Sequence, residues 1–547
     1  MDKFNFKNFE YQWLVILAAS FLCILPFIFF GLPAGSEDLE HHVRLANNYF
    51  NSLQQGIFVP NWAGEENFGK GSIVVRFYPP LLEFVMAFFR IVFGNWQTAF
   101  IASFFLWSCL GGCGIYLFTK EIFKNRWQPS IAAVLFILSH YHVSQLYITY
   151  LYAEFVALSI LPFCLFYAKK ICEGDKIFDV LKFGVSVALL ILSNLPMTII
   201  GAICVGLFVL FLLEKESFFR QIGGLFGGCL IALLLSSFYW LRILFEVKWL
   251  NIYQPNTDPL YDFSNNFLAI NFELDERGIW FVTGLYVLLV AFLVVSLIVS
   301  GKITHLFEDK IIRAIFVIFV ISSILMFSIS TPIWENLTFL QRVQFPRRFF
   351  SIASICAFVL IAFCFGFIER KNWNAKRPMI LILIGMSFIY CFISVRQIAS
   401  GANFVEGKQF EILFDQLKTS EVLKHWQPVW ATNHGLKRKN AFTANGRIVE
   451  NRAWENENRK FFVHQGEKSK AEIAVLYYPH WQAFVNGAKI PIDKAEDGTM
   501  LIDLPEESCE VELQFIEPQS SLMSRKISHS ALCLLLFLLI YGRYRKT

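Results

Sequence analysis

Long apolar runs recur along this chain with short charged segments between them, and that alternation leaves few ways to fold. Each run holds roughly 17 to 25 residues, enough to cross a hydrocarbon core of about 30 Å as a helix. In water such surfaces would have to be buried. In a bilayer they satisfy their own backbone hydrogen bonds and can face lipid. Composition agrees: 56% of residues are hydrophobic and only 17% charged, against about 25% charged in ordinary soluble domains. A soluble enzyme is excluded. With 48 Lys and Arg against 43 Asp and Glu, the net charge of +5 is too small and dispersed for a nucleic-acid partner.

Charge orders the runs. Lys3 and Lys7 precede the first run, Tyr11 to Leu32, which is too long for a signal-peptide core and reads as a retained anchor. Basic clusters then recur at Lys120/Lys124/Arg126, Lys169/Lys170/Lys176, Lys215/Arg220, Lys302/Lys310/Arg313 and Arg370/Lys371/Lys376/Arg377. The positive-inside bias places these in the cytoplasm and the segments 33–96, 149–153, 194–197, 246–278, 331–347 and 398–527 outside. Both termini inside requires an even count, and about twelve transmembrane helices are expected. Leu81–Phe93 is left out of that count. It is short, carries Glu83 and Arg90, and is predicted as a re-entrant or surface-lying helix.

The 398–527 stretch is rich in charge, Asn and Gly, with alternating patterns at Ala471–Tyr478 and Glu510–Phe515 and turn signals at Asn486-Gly487 and Asp497-Gly498. The expected fold class is therefore a polytopic α-helical membrane protein with an extracytoplasmic β-rich domain before its last helix. The division is 1–398 membrane, 399–526 β-sandwich-like and 527–547 anchor. Of twelve cysteines only Cys509 lies in the outer segment, so that domain cannot form an internal disulfide. No CxxC, Walker-type loop or HExxH occurs.

Polar chemistry gathers where the outer loops meet the membrane. Gly35-Ser36-Glu37-Asp38-Leu39-Glu40-His41-His42 follows the first run; on a helix Asp38 and His42 share a face. These acids equally suit the capped first turn of a helix at the membrane exit. Glu154 opens an apolar helix, where an ionisable group is a functional candidate. Arg342, Arg347 and Arg348 lie in one outer loop. They can snorkel to headgroups or hold an anion, and the charge bias against outer Arg favours the anion. Tyr78-Pro79-Pro80 is a stiff turn into a helix, and Pro60-Asn61-Trp62 resembles loop punctuation with an interfacial aromatic. His140 and His142 read as packing residues. Tyr253, Asn256, Asp258, Tyr261, Asp262, Asn265 and Asn266 give the 246–278 loop either sugar-binding or merely solvated character.

Taken in order, Glu37-Asp38, Pro60-Asn61-Trp62, Phe77-Tyr78-Pro79-Pro80-Leu81, Glu154 and Gln344-Phe345-Pro346-Arg347-Arg348-Phe349 resemble bacterial membrane glycosyltransferases of the C-type fold (GT-C). The nearest flavour is the family labelled 6-pyruvoyl-tetrahydropterin synthase-related membrane proteins. Tyr477-Tyr478-Pro479-His480-Trp481 and Asn486-Gly487 resemble the outer β-domain appended to many of them. The resemblance implies an enzyme of the bacterial cytoplasmic membrane with an outward-facing site. It would transfer sugar from a polyprenyl-phosphate donor to a glycan, lipid or protein acceptor. Asp38, or Glu37 beside it, maps onto the acid that acts on the acceptor, and Glu154 onto the second-loop acid. Arg347, Arg348 or Arg342 would meet the phosphate, with His41, His42, Tyr78 and Trp62 positioning substrate. Arg347-Arg348 stands where a Trp-Arg pair is commoner, so the choice of arginine stays open. A divalent cation, Mg or Mn, is optional, with Asp38 and Glu154 its candidate ligands. A lipid-carrier flippase or an envelope-polysaccharide scaffold are the rival readings.

Overall fold

The computed structural model describes residues 11–33, 37–125, 127–174, 176–251, 262–268, 279–367, 373–405, 407–417, 426–436 and 441–544. Its principal helices are α1 (Gln12–Phe30), α2 (Glu37–Gln54), α3 (Leu81–Phe93), α4 (Trp96–Lys120), α5 (Trp127–Ile137), α6 (His140–Tyr147), α7 (Tyr152–Glu173), α8 (Ile177–Ser193) and α9 (Leu195–Leu212). There follow α10 (Phe218–Leu235), α11 (Ser237–Glu246), α12 (Ile279–Ser300), α13 (Lys310–Leu325), α14 (Phe350–Cys364), α15 (Trp373–Gly401), α16 (Gly407–Leu417) and α17 (Gln519–Tyr544).

Eight helices among the described residues are long and apolar enough to cross a membrane. They are α1, α4, α7, α9, α10, α12, α14 and α17. Other apolar runs among the described residues form shorter helices. Ser139 accepts a hydrogen bond from the His142 amide at 3.3 Å and splits one run into α5 and α6. Helices α8 and α13 have 17 and 16 residues, and α15 contains the shorter apolar stretch Ile380–Arg396. Helix α4 is central. Gly111, Gly112 and Gly114 lie where a Cβ would strike Phe136, Ile137, Ile16 or Phe163, so α1, α5 and α7 approach its backbone closely.

The loops separate onto two ends, as their charges predict. At the basic end Lys170 pairs with Glu121 at 2.8 Å, Lys310 with Glu214 at 2.7 Å, and Gln221 donates to the Cys172 carbonyl at 2.8 Å. At the other end the first loop, α11, the 331–348 segment and the β-rich unit converge. There β1 (Leu32–Pro33) pairs antiparallel with β2 (Phe404–Val405), joining the exit of α1 to the chain leaving α15. Helix α16 lies on α4, where Phe414 stacks on Trp96 at 4.2 Å and Glu411 accepts from the Trp96 amide at 2.8 Å. Helix α3, only 13 residues long, buries Leu82, Glu83, Met86 and Ala87 and exposes Phe88, Ile91, Val92 and Phe93. That two-faced pattern suits a helix lying along an interface.

The β-rich unit is a two-sheet sandwich. One sheet orders β3 (Phe442–Thr443), β6 (Ser469–Leu476), β10 (Thr499–Leu504) and β9 (Asp493–Lys494). The other orders β4 (Val449–Trp454), β5 (Asn458–Val463), β11 (Cys509–Phe515), β7 (Trp481–Val485) and β8 (Ala488–Ile490). Phe461, Val463, Val511 and Leu513 alternate inward along β5 and β11 to meet Ile473, Met500 and Ile502 from the facing sheet. Asn486-Gly487, both with positive φ, make the two-residue turn between β7 and β8. The last helix begins at Gln519, eight residues before the expected anchor, because Ser237 packs against Ser524 and Ser528 there.

Candidate active site at the loop-bearing end

Helix α2 carries the first-loop acids. Asp38 is exposed, while one turn on His42 is buried together with His41. His42 Nδ1 lies 2.8 Å from Glu83 Oε1, and Glu83 is wholly enclosed. Its ring neighbours are Tyr78 at 5.8 Å and Tyr152 at 5.2 Å. His41 meets Tyr78 edge-on at 4.5 Å and stacks near Trp426 at 6.0 Å. The turn at Pro79-Pro80 starts α3 and so delivers both Tyr78 and Glu83 to this face.

Glu154 sits in the first turn of α7, 1% exposed. Arg348 donates from Nε to its Oε2 at 3.1 Å. Gln145 donates to its Oε1 at 3.0 Å, and the Tyr141 hydroxyl bonds the same oxygen. Arg348 also donates to the Val343 carbonyl at 2.6 Å and to Gln344 Oε1 at 3.3 Å. Val343 lies where Gln344 turns the chain with φ +68°. Arg347 and Arg348 both lie over the Phe345 ring, at 4.7 and 4.8 Å. Arg347 reaches Asn266 Oδ1 at 3.3 Å, bringing in the 246–278 loop, and Arg342 stays exposed on the same rim.

The two groups meet electrostatically at Tyr78. Burial first, then the charges of Glu83 and Asp38, push its hydroxyl well above the usual phenol range, and Arg348 opposes them. Carboxylates and a guanidinium thus share one field around a half-buried tyrosine, with the His41 and His42 rings packed against it. An acid beside a fixed imidazole can take a proton from a hydroxyl, and a neighbouring arginine can stabilise an oxyanion. Both Glu154 oxygens are already engaged, so its observed part is to hold Arg348 in place. Among the described residues no three His, Cys, Asp or Glu gather as a metal-binding group.

The structure brings Asp38, His41, His42, Tyr78, Glu154, Arg347 and Arg348 to one region, but not Trp62. Trp62 is fully enclosed against Tyr478, Trp481 and Phe515 of the β-rich unit, at 6.3, 5.5 and 5.9 Å. It is a docking residue rather than an interfacial one. Glu37 begins α2. Ser36 and Tyr253, Asn256, Asp258 and Tyr261 lie outside the described residues; Asp262 caps a short turn by accepting from the Ser264 amide at 2.9 Å. His142 packs between Phe136 and Phe155 at 4.7 and 4.3 Å.

Beside the site a buried ionic clasp fastens the β-rich unit to the helices. Arg76 grips Glu246 with both arms, Nε to Oε2 at 3.0 Å and Nη2 to Oε1 at 2.6 Å. Arg76 also donates to Asn61 at 2.7 Å and Ser521 at 3.1 Å. The Tyr478 hydroxyl donates to Glu246 at 2.7 Å, with His480 Nε2 3.2 Å away. Asn61 gives its amide and side chain to Glu457 at 2.7 and 3.0 Å, and Arg242 pairs with Glu517. Asn61-Trp62 and Tyr478-Pro479-His480-Trp481 therefore act together. Burial works against the Glu246 charge, but the bonds from His480, Arg76 and Tyr478 hold its carboxyl down at about 2.

Residues 75–398 match the profile of a family described as "6-pyruvoyl-tetrahydropterin synthase related domain; membrane protein". The chain belongs to this family. No curated protein matches it. Among solved structures, this 6-pyruvoyl-tetrahydropterin synthase-related membrane protein is similar to arabinofuranosyltransferase AftD from Mycobacteria. The TM-score is 0.49 with 12% identity, over 72% of this chain and 27% of that one. It is also similar to the archaeal oligosaccharyltransferase AglB from Archaeoglobus fulgidus, with TM-score 0.42, 12% identity and coverage of 76% and 61%. A further Archaeoglobus fulgidus oligosaccharyltransferase gives TM-score 0.32 at 13% identity, over 74% and 54%. The superpositions are loose, and the matched part spans less than two thirds of each of those chains.

Proposed function

We propose that this protein is an inverting membrane glycosyltransferase, moving sugar from a polyprenyl-phosphate donor to an acceptor on the face that carries the β-rich unit. The observation that carries this reading is the shared field at Tyr78, with Asp38, His42 and Glu83 on one side and the Glu154-held Arg348 on the other. Glycosyl transfer needs that pairing. The acceptor hydroxyl loses a proton as it attacks the anomeric carbon, and the lipid phosphate gains charge as it leaves. Asp38, exposed on the inner face of α2, orients or deprotonates the hydroxyl, a contribution of about 10²–10⁴-fold. Arg347 and Arg342, with Arg348 behind them, stabilise the leaving phosphate. Exposed aromatic and aliphatic side chains of α3, such as Phe88 and Phe93, would lie against the lipid beside the carrier chain. The basic clusters at the opposite end support an outward orientation of this face, and the family resemblance supports a bacterial cytoplasmic membrane.

The test is release of polyprenyl phosphate from a radiolabelled polyprenyl-phosphate sugar by the purified protein, with a pooled envelope acceptor extract. Parallel arms add Mg²⁺, Mn²⁺ or chelator and compare Asp38→Asn and Glu154→Gln with wild type. Acid-dependent transfer of label is expected. Donor binding without transfer in any variant, across a broad donor and acceptor panel, would replace the proposal with a transporter or scaffold. Full transfer by a folded Asp38→Asn protein would remove Asp38 from the chemistry.

A further inference from the structure

The Glu83–His42 pair goes beyond the acid that loop spacing suggests. His42 lies in the middle of the loop-bearing end, buried on α2, and its Nδ1 is 2.8 Å from a carboxylate that nothing else in the site uses. Glu83 Oε2 has no hydrogen-bond partner and no contact with solvent. The His42 imidazole is the hydrogen-bond partner the structure gives this enclosed carboxylate. When Nδ1 donates to Glu83, Nε2 is left with its lone pair on the opposite side of the ring. The groups around His42 are few. Asp38 and His41 come from its own helix, Glu83 from α3, Tyr78 from the turn before α3, and Tyr152 from α7. Asp38 lies one turn before His42, so a hydroxyl held by Asp38 approaches the same face of α2.

We infer that His42 Nε2 is the proton acceptor for the attacking hydroxyl, that Glu83 is its positioning residue, and that Asp38 orients the hydroxyl without taking its proton. The inference rests on the glycosyltransferase reading above. In the step, the acceptor O–H bond breaks and its proton goes to Nε2 while oxygen bonds the anomeric carbon. The bond from that carbon to the phosphate oxygen breaks, and the phosphate leaves with the electron pair. Glu83 stabilises the imidazolium so formed and returns to its starting contact when the proton is lost to water. This division of labour explains why an acid of a short interfacial helix is buried deeper than the exposed acid of the first loop.

The experiment measures kcat against pH for wild type, His42→Gln, Glu83→Gln, Glu83→Asp and Asp38→Asn, using the labelled donor and acceptor pool. Removing Glu83 lowers the proton affinity of His42, so Glu83→Gln is expected to move the acidic limb to lower pH. It should also cut kcat by roughly 10- to 100-fold with donor KM unchanged, Glu83→Asp recovering part of the loss. His42→Gln should abolish the acidic limb, while Asp38→Asn keeps it. Wild-type kcat and limb in Glu83→Gln, or a surviving limb in His42→Gln, overturns the inference and leaves the glycosyltransferase reading intact. Absence of transfer by wild type with every donor and acceptor removes the reading itself. A readout independent of turnover is carbethoxylation of His42, mapped by mass spectrometry across pH. Its inflection should fall in Glu83→Gln; failure of His42 to react in wild type, or an inflection indifferent to Glu83, also overturns the assignment.

Discussion

Replacing Glu246 with Gln should loosen the β-rich unit from the helices by an amount the clasp itself sets. The Glu246 carboxyl is held at about 2 against an ordinary 4.5, burial opposing and His480, Arg76 and Tyr478 outweighing it. That difference corresponds to about 3 kcal/mol at 1.36 kcal/mol per pH unit, present in full above about pH 4.5. Because the folded-state value is depressed, the contribution is lost as pH falls from about 4.5 through 2. Glu246→Gln also leaves the Arg76 guanidinium, 0% exposed, with only the Glu517 carboxylate at 3.9 Å, which Arg242 already engages, and breaking buried pairs costs about 3–5 kcal/mol. A thiol at Ile73, buried among Trp62, Tyr478 and Phe515 where the first loop meets the sandwich, reports the opening. In an Ile73→Cys background, maleimide labelling at position 73 should quicken roughly 100-fold at pH 7 when Glu246→Gln is added. The difference should shrink as pH falls below about 4.5 and close only near pH 2. Equal labelling rates at pH 7 would refute the reasoning and make the clasp energetically idle.

Arg348→Met should lower the melting temperature more than Arg348→Met combined with Glu154→Gln, because only the single variant leaves a buried carboxylate unpaired; the reverse order would argue against the pair. Glu66, enclosed in the first loop, is pushed up to about 7 by burial, with Arg44 opposing. Being raised, it stabilises the loop below about pH 4.5, and that support fades as pH rises through 7. Protection at residues 61–72, taken as exchange relative to the intrinsic rate at each pH, should therefore fall between about pH 4.5 and 7 in wild type and stay flat in Glu66→Gln. Gly71→Ala should displace Trp62 and speed labelling at position 73, since its Cβ would lie 1.9 Å from the indole nitrogen; Gly69→Ala, with φ +85° but nothing within 4 Å, should cost only about 1 kcal/mol.

The apolar runs and their charged punctuation made the bundle legible, because hydrophobic length and Lys/Arg asymmetry are local quantities. The sandwich was legible for the same reason: the period-two patterns along β6 and β11 and the Asn486-Gly487 turn each lie within a few residues. What escaped is non-local. Glu83 pairs across 41 residues with His42 and Arg76 across 170 with Glu246, and no spacing rule links them. Trp62 read as an interfacial aromatic because an indole flanked by Pro and Asn looks the same at a headgroup as inside a docked β-unit. Ser139 was hidden in the same way, because one capping side chain divides a run that hydropathy treats as continuous.

The clasp also places a clock in biosynthesis. Arg76 is complete early, yet its partners Glu246 and Ser521 emerge 170 and 445 residues later. At about 5–20 residues per second, the first loop waits roughly 10 to 35 seconds for one and about 20 to 90 seconds for the other. Through that interval the guanidinium remains hydrated, and the face of α2 that later meets the sandwich stays open. Chain termination before α17 would leave Arg76 without Ser521, so the clasp is complete only with the final helix.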